Sequence, residues 1–88
     1  EEGVRSDLVR RGRAALVEIA QQAGLSRAEA EVAVSYASGT RTNGIASDRF
    51  VSKNTVKSQL RSAYRTLGVH SRNQLAEALL YMVEQGRR

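Results

Sequence analysis

Between Ser52 and Gly68 the apolar residues fall at Val56, Leu60, Ala63, Tyr64 and Leu67, at three- and four-residue spacing. That spacing puts them on one face of a helix and fits no strand, where residues sharing a face are two apart. Both ends are marked. The Ser52 hydroxyl can accept from an unpaired amide in the first turn, and Gly68 can take the left-handed conformation that ends a helix. The opposite face reads Asn54, Lys57, Ser58, Arg61, Ser62 and Arg65, with no acid among them. A helix with an apolar back and a cationic, hydrogen-bonding front suits a patterned polyanion. The DNA major groove admits a helix and presents a readable donor and acceptor code. An ordinary solvated amphipathic helix carries the same pattern, so the rest of the chain must decide.

The remaining apolar residues keep the helical period. Residues 3–24 carry Val4, Leu8, Ala15, Leu16, Ile19, Ala20 and Ala23, which predicts one lead-in helix ended by Gly24 and weakened in its middle by Gly12, by about 1 kcal/mol. Its basic run Arg10, Arg11, Arg13 is expected on a solvated face; contact with nucleic acid or a membrane surface is the competing reading. Ser26 followed by Glu29 is a capping box. The helix it opens turns Ala28, Val32, Ala33, Tyr36 and Ala37 inward, with Leu25 stapled to its first turn and Gly39 as its stop. Residues 40–51 predict a turn and a short helix, capped by Thr40 or Thr42. Ile45 and Ala46 form its buried side, and Phe50 and Val51 fill the junction before Ser52. A short helix, a tight connection and a longer amphipathic helix make a helix-turn-helix. Ser71 caps a last helix over 72–85. Its apolar set Leu75, Ala76, Ala78, Leu79, Leu80, Met82 and Val83 is wider than one packing contact needs. The surplus is either a dimer contact, with Leu75, Leu79 and Met82 at its centre, or packing against the lead-in helix.

Eighty-eight residues make one small domain, burying roughly 60–65% of its unfolded surface and leaving no room for a cleft between two lobes. Proline is absent and helix formers dominate, so the fold class is all-α. The lack of cysteine excludes disulfide and thiolate–metal frameworks. A single histidine, His70 ahead of a helix cap, and no clustered carboxylates leave no base–nucleophile pair and no metal set. Neither an enzyme nor a cofactor is expected. No run of about 18 apolar residues and no signal-peptide pattern is found, which suggests a cytoplasmic setting. The chain opens Glu1-Glu2 without an initiator Met, as a piece of a longer protein would. The net charge of +5 is concentrated. Residues 41–72 hold Arg41, Arg49, Lys53, Lys57, Arg61, Arg65 and Arg72 against Asp48 alone, while acids and bases nearly balance elsewhere. A positive field confined to one supersecondary unit is the footprint of phosphate binding.

Five blocks of the sequence resemble the LuxR-type helix-turn-helix of bacterial transcription regulators. They are Leu25-Ser26-x-x-Glu29-x-Glu31-Val32, Gly39, Ile45-Ala46, Val51-Ser52-x-x-Thr55-Val56-Lys57 and Leu67-Gly68-Val69-x-x-Arg72; together they span roughly residues 25–80 without a gap. The resemblance implies a DNA-binding domain over 25–88, four helices with the third as recognition helix and the fourth often forming a dimer interface; the lead-in helix of residues 1–24 lies outside it. Carried over by position, Lys57, Ser58 and Arg61 face the bases, and Thr55 and Gln59 contact phosphate. Lys53, Asn54 and Arg65 are backbone contacts on grounds of charge and placement. Where the family usually opens its second helix with Asn-Lys-Glu, this chain has Thr42-Asn43-Gly44. The missing lysine charge makes Arg41 the candidate replacement phosphate contact. Gln59 stands where a His is frequent, so that contact would lose pH sensitivity. Arg72 matches a family Arg, as a DNA contact or a brace.

The resemblance implies double-stranded DNA as partner, a homodimer on it, RNA polymerase as a further partner and an upstream regulatory domain, which in some relatives is a membrane segment. Two alternatives stand beside it: a promoter-reading helix-turn-helix like that of a sigma factor, and a helical interaction module docking through residues 75–83.

Overall fold

A computed structural model of the chain describes residues 2–86. Six helices follow one another there, with no strand among the described residues: α1 (Glu2–Arg11), α2 (Arg13–Gln22), α3 (Arg27–Ala37), α4 (Thr42–Arg49), α5 (Lys53–Leu67) and α6 (Arg72–Gln85). The all-α class and the four helices from Arg27 onward follow the pattern read from the sequence. The lead-in segment differs. Gly12 takes φ 88°, and the expected single helix breaks there into two ten-residue pieces. A side chain at that φ would be strained, so the break falls at the residue that tolerates it. Both pieces then reach α6. The side chain of Val4 lies outside the described set.

α3 is the centre. α2, α4, α5 and α6 all pack on it, which explains why its burial exceeds one stripe: Ala30, Val32, Ala33, Val34 and Ala37 are all buried, while Ala28 at its start is only half-buried. One core cluster joins Leu8, Leu16, Val17 and Ala20 of the lead-in helices to Leu25, α3, Ala63, Leu75, Ala76 and Leu79. A smaller one gathers Val32, Ile45, Ala46, Val56 and Leu60 beneath α4 and α5.

The wide apolar set of α6 is satisfied within the chain. α1 and α2 both cover it, and Leu75 and Leu79 have no exposed surface. The assignment of Leu75 and Leu79 to a dimer interface is therefore corrected: they are core residues, and the same burial removes the middle of the supposed docking face at 75–83. Met82 is half-buried against the core. The basic run is also accounted for. Arg10 pairs with Asp7, and Arg11 reaches Glu84 of α6 at 3.3 Å. Arg13 donates to Ser35 Oγ at 2.7 Å and to the Glu31 carbonyl at 3.2 Å. Arg11 and Arg13 brace α1 and α2 against α6 and α3, while the Arg10 pair stays within α1.

Candidate nucleic-acid interface

α5 begins as its sequence dictates. The Ser52 hydroxyl accepts from the Thr55 amide at 3.1 Å, and the two hydroxyls lie 3.0 Å apart. The helix ends at Gly68, φ 70° and ψ 33°. Val56, Leu60 and Ala63 are buried, and Tyr64 and Leu67 pack on the core. Of the expected base-facing residues, Lys57, Ser58 and Arg61 are all exposed. Of the expected phosphate contacts, Arg41, Lys53, Asn54 and Arg65 are exposed, while Thr55 and Gln59 are half-buried. The Gln59 Oε1 is out of solvent with no partner among the described residues.

The charge divides in a way that counting could not show. Two of the seven cations between 41 and 72 turn inward. Arg49 pairs with Glu31. Arg72 lies 4.0 Å over the Tyr36 ring and donates to the Thr40 carbonyl at 3.3 Å, so it braces the start of α6 against the end of α3. Arg41, Lys53, Lys57, Arg61 and Arg65 remain, exposed and without a carboxylate partner among the described residues. Ser62, placed on the outer face by periodicity, instead donates to Glu29 Oε2 at 2.6 Å. It sits on the flank of α5 that meets α3.

α4 adds a feature missed from sequence. Neither Thr40 nor Thr42 caps it. Arg41 occupies the cap position and supplies no side-chain bond, leaving first-turn amides open as an anion-attracting end. Thr42 shares a shallow groove with Tyr36, Lys57, Leu60, Arg61 and Tyr64. Burial pushes the Tyr64 phenol up, so it stays neutral beside those cations. The signal in the sequence was the absence of Asp, Ser or Asn at position 41, next to a cluster of bases. Phe50 and Val51 do not fill the junction as expected: Phe50 is 94% exposed and Val51 37%. The reason is backbone. Phe50 ends α4 in the left-handed conformation, which points its side chain away from both clusters.

Two carboxylates of α3 hold this arrangement. The Ser62 hydroxyl first, and the Ser26 amide second, keep the Glu29 carboxyl below its ordinary value of 4.5. Arg49 first, and Arg27 second, do the same for Glu31. A depressed folded pKa means the unfolded chain takes up protons first on acidification. The stabilisation is thus complete above about pH 4.5 and disappears as pH falls through the lower folded values. Thermal melts should show an acid limb below that pH, and Glu29→Gln with Glu31→Gln should flatten it while lowering stability at neutral pH. An unchanged acid limb in the double variant would assign it to other carboxylates.

No helix among the described residues is long and apolar enough to cross a membrane. Comparison with curated proteins and with solved structures gives no match. The family model for bacterial regulatory proteins of the luxR family matches residues 23–79, from the end of α2 to the middle of α6. Those residues include the helix-turn-helix of α4 and α5, the capping box and the five outward cations Arg41, Lys53, Lys57, Arg61 and Arg65. The chain therefore belongs to the LuxR family of bacterial regulatory proteins, whose helix-turn-helix domains bind DNA to regulate transcription and are not enzymes.

Proposed function

We propose that this chain reads a specific double-stranded DNA sequence as the output domain of a transcription regulator, with α5 in the major groove. The observation that carries it is the set of five exposed, unpaired cations on α5 and at the start of α4, all turned from the core. Lys57, Ser58 and Arg61 contact base edges. Arg41, Lys53, Asn54, Thr55, Gln59 and Arg65 contact the backbone, with Thr42 and the open end of α4 beside them. Residues 25–88 form the binding unit, and residues 1–24 brace it. Two copies on a symmetric site place half-sites about 10 base pairs apart or a multiple.

The test is selection from random duplexes at roughly physiological salt, with sequencing of the bound pool. An enriched inverted repeat is the expected result. A pool that binds without enrichment would reduce α5 to phosphate contact, and no retained DNA would sink the proposal. Lys53→Gln should weaken binding to all sequences alike and reduce the slope of log K against log salt by about one. An unchanged slope removes Lys53 from the interface.

A further inference from the structure

Phe50 is the only Phe in the chain, and 94% of its surface is exposed. It is also the only non-glycine residue with positive φ among the described residues, at φ 56° and ψ 44°. The geometry belongs to the turn. The Phe50 amide donates to the Ser47 carbonyl at 3.3 Å and the Val51 amide to the Ala46 carbonyl at 3.0 Å, closing α4 and turning the chain into α5. Gly or Asn would meet the same geometry with less strain. A phenyl ring here brings backbone strain and wet apolar surface together, and nothing inside the fold offsets either.

The position points to the use. Phe50 is followed at once by Val51, Ser52, Lys53 and Asn54, all exposed, so the ring stands where α5 begins. The major groove offers one apolar partner there, the 5-methyl group of thymine, which Phe can contact. The ring carries neither charge nor hydrogen-bonding group, so its match on DNA is the apolar methyl and not a phosphate. We infer that Phe50 is a specificity-determining residue that packs on a thymine methyl at one edge of the DNA site. The inference rests on the DNA-reading function proposed above and adds an apolar contact to its polar ones.

The experiment replaces each thymine of the selected site in turn by uracil, which lacks the methyl, and measures affinity for the 88-residue chain and for Phe50→Asn. The wild-type chain should lose roughly threefold to fivefold at one thymine, the worth of one buried methyl. Phe50→Asn should lose that discrimination, keep the preferences at other positions and melt at the same temperature or higher. Phe50→Tyr should retain the discrimination. A wild-type uracil profile in Phe50→Asn would overturn the inference. Sequence-selective binding indifferent to every uracil would sink the Phe50 contact alone, whereas absence of any selected sequence would sink the DNA-reading function first.

Discussion

Leu79→Ala should lower the unfolding free energy by about 2–5 kcal/mol, and Leu79→Asp should leave the chain unfolded at ambient temperature. Leu79 has no exposed surface and lies in the cluster that ties α1 and α2 to α3 and α6. Truncation there removes transfer free energy and leaves a cavity that several short helices must share. A domain of this size has on the order of 5–10 kcal/mol in total, so the alanine variant loses a large fraction. Its melting temperature should fall by roughly 8–40 °C, taking about 4–8 °C per kcal/mol for a small domain. Circular dichroism melts measure this directly. Met82→Ala, at a half-buried position, should cost much less. Were Leu79→Ala to melt with the wild type while turning a wild-type dimer into a monomer, Leu79 would belong to an interface and the packing of α1 and α2 on α6 would be wrong.

Local physics was legible in the sequence, and long-range pairing was not. Ser26, Ser52 and Ser71 each accept from the amide three residues on. Those contacts are decided within one turn, so spacing alone exposes them. The buried face of α5 was readable for the same reason. Periodicity states that a face is covered and not by what, which left the apolar set of α6 divided between a second copy and the lead-in segment. Gly12 posed a similar limit. Its cost inside a helix is only about 1 kcal/mol, small enough for packing of α1 and α2 on α6 to settle whether the helix continues. Charge counting overstated the front because Arg49 and Arg72 find Glu31 and Tyr36, and periodicity misplaced Ser62 because it finds Glu29; all three partners are on α3 and distant in sequence. Phe50 was misplaced because hydrophobicity argued for burial, while the turn into α5 imposed a left-handed backbone that turns the ring outward. The match to the LuxR family over residues 23–79 agrees with the motif blocks, whose spacing is set by the same caps and stops.

Arg61→Ala should cost about 1–3 kcal/mol in affinity for the selected site and relax preference at one base-pair position. Elimination among the cations of residues 41–72 singles out Arg61 and Lys57. Arg49 and Arg72 are held by protein groups. Arg41 lies ahead of α4, Lys53 at the first residue of α5 and Arg65 in its last turn, where a charge meets backbone more readily than base edges. Arg61 and Lys57 are one turn apart at the middle of the helix, share the groove with Thr42 and Tyr64, and are exposed. Arginine can hold guanine through a planar fork of two parallel hydrogen bonds, whereas lysine acts as a point charge. Arg61→Lys therefore separates the two roles. If Arg61 reads a base, the lysine variant should keep the salt slope of the wild type and still lose preference at that position. If Arg61 holds a phosphate, Arg61→Lys should bind every sequence nearly as the wild type does, and Arg61→Ala should weaken all of them equally with a shallower slope. The first outcome makes the middle of α5 the reading surface; the second confines it to the N-terminal half of the helix, around Lys57 and Ser58.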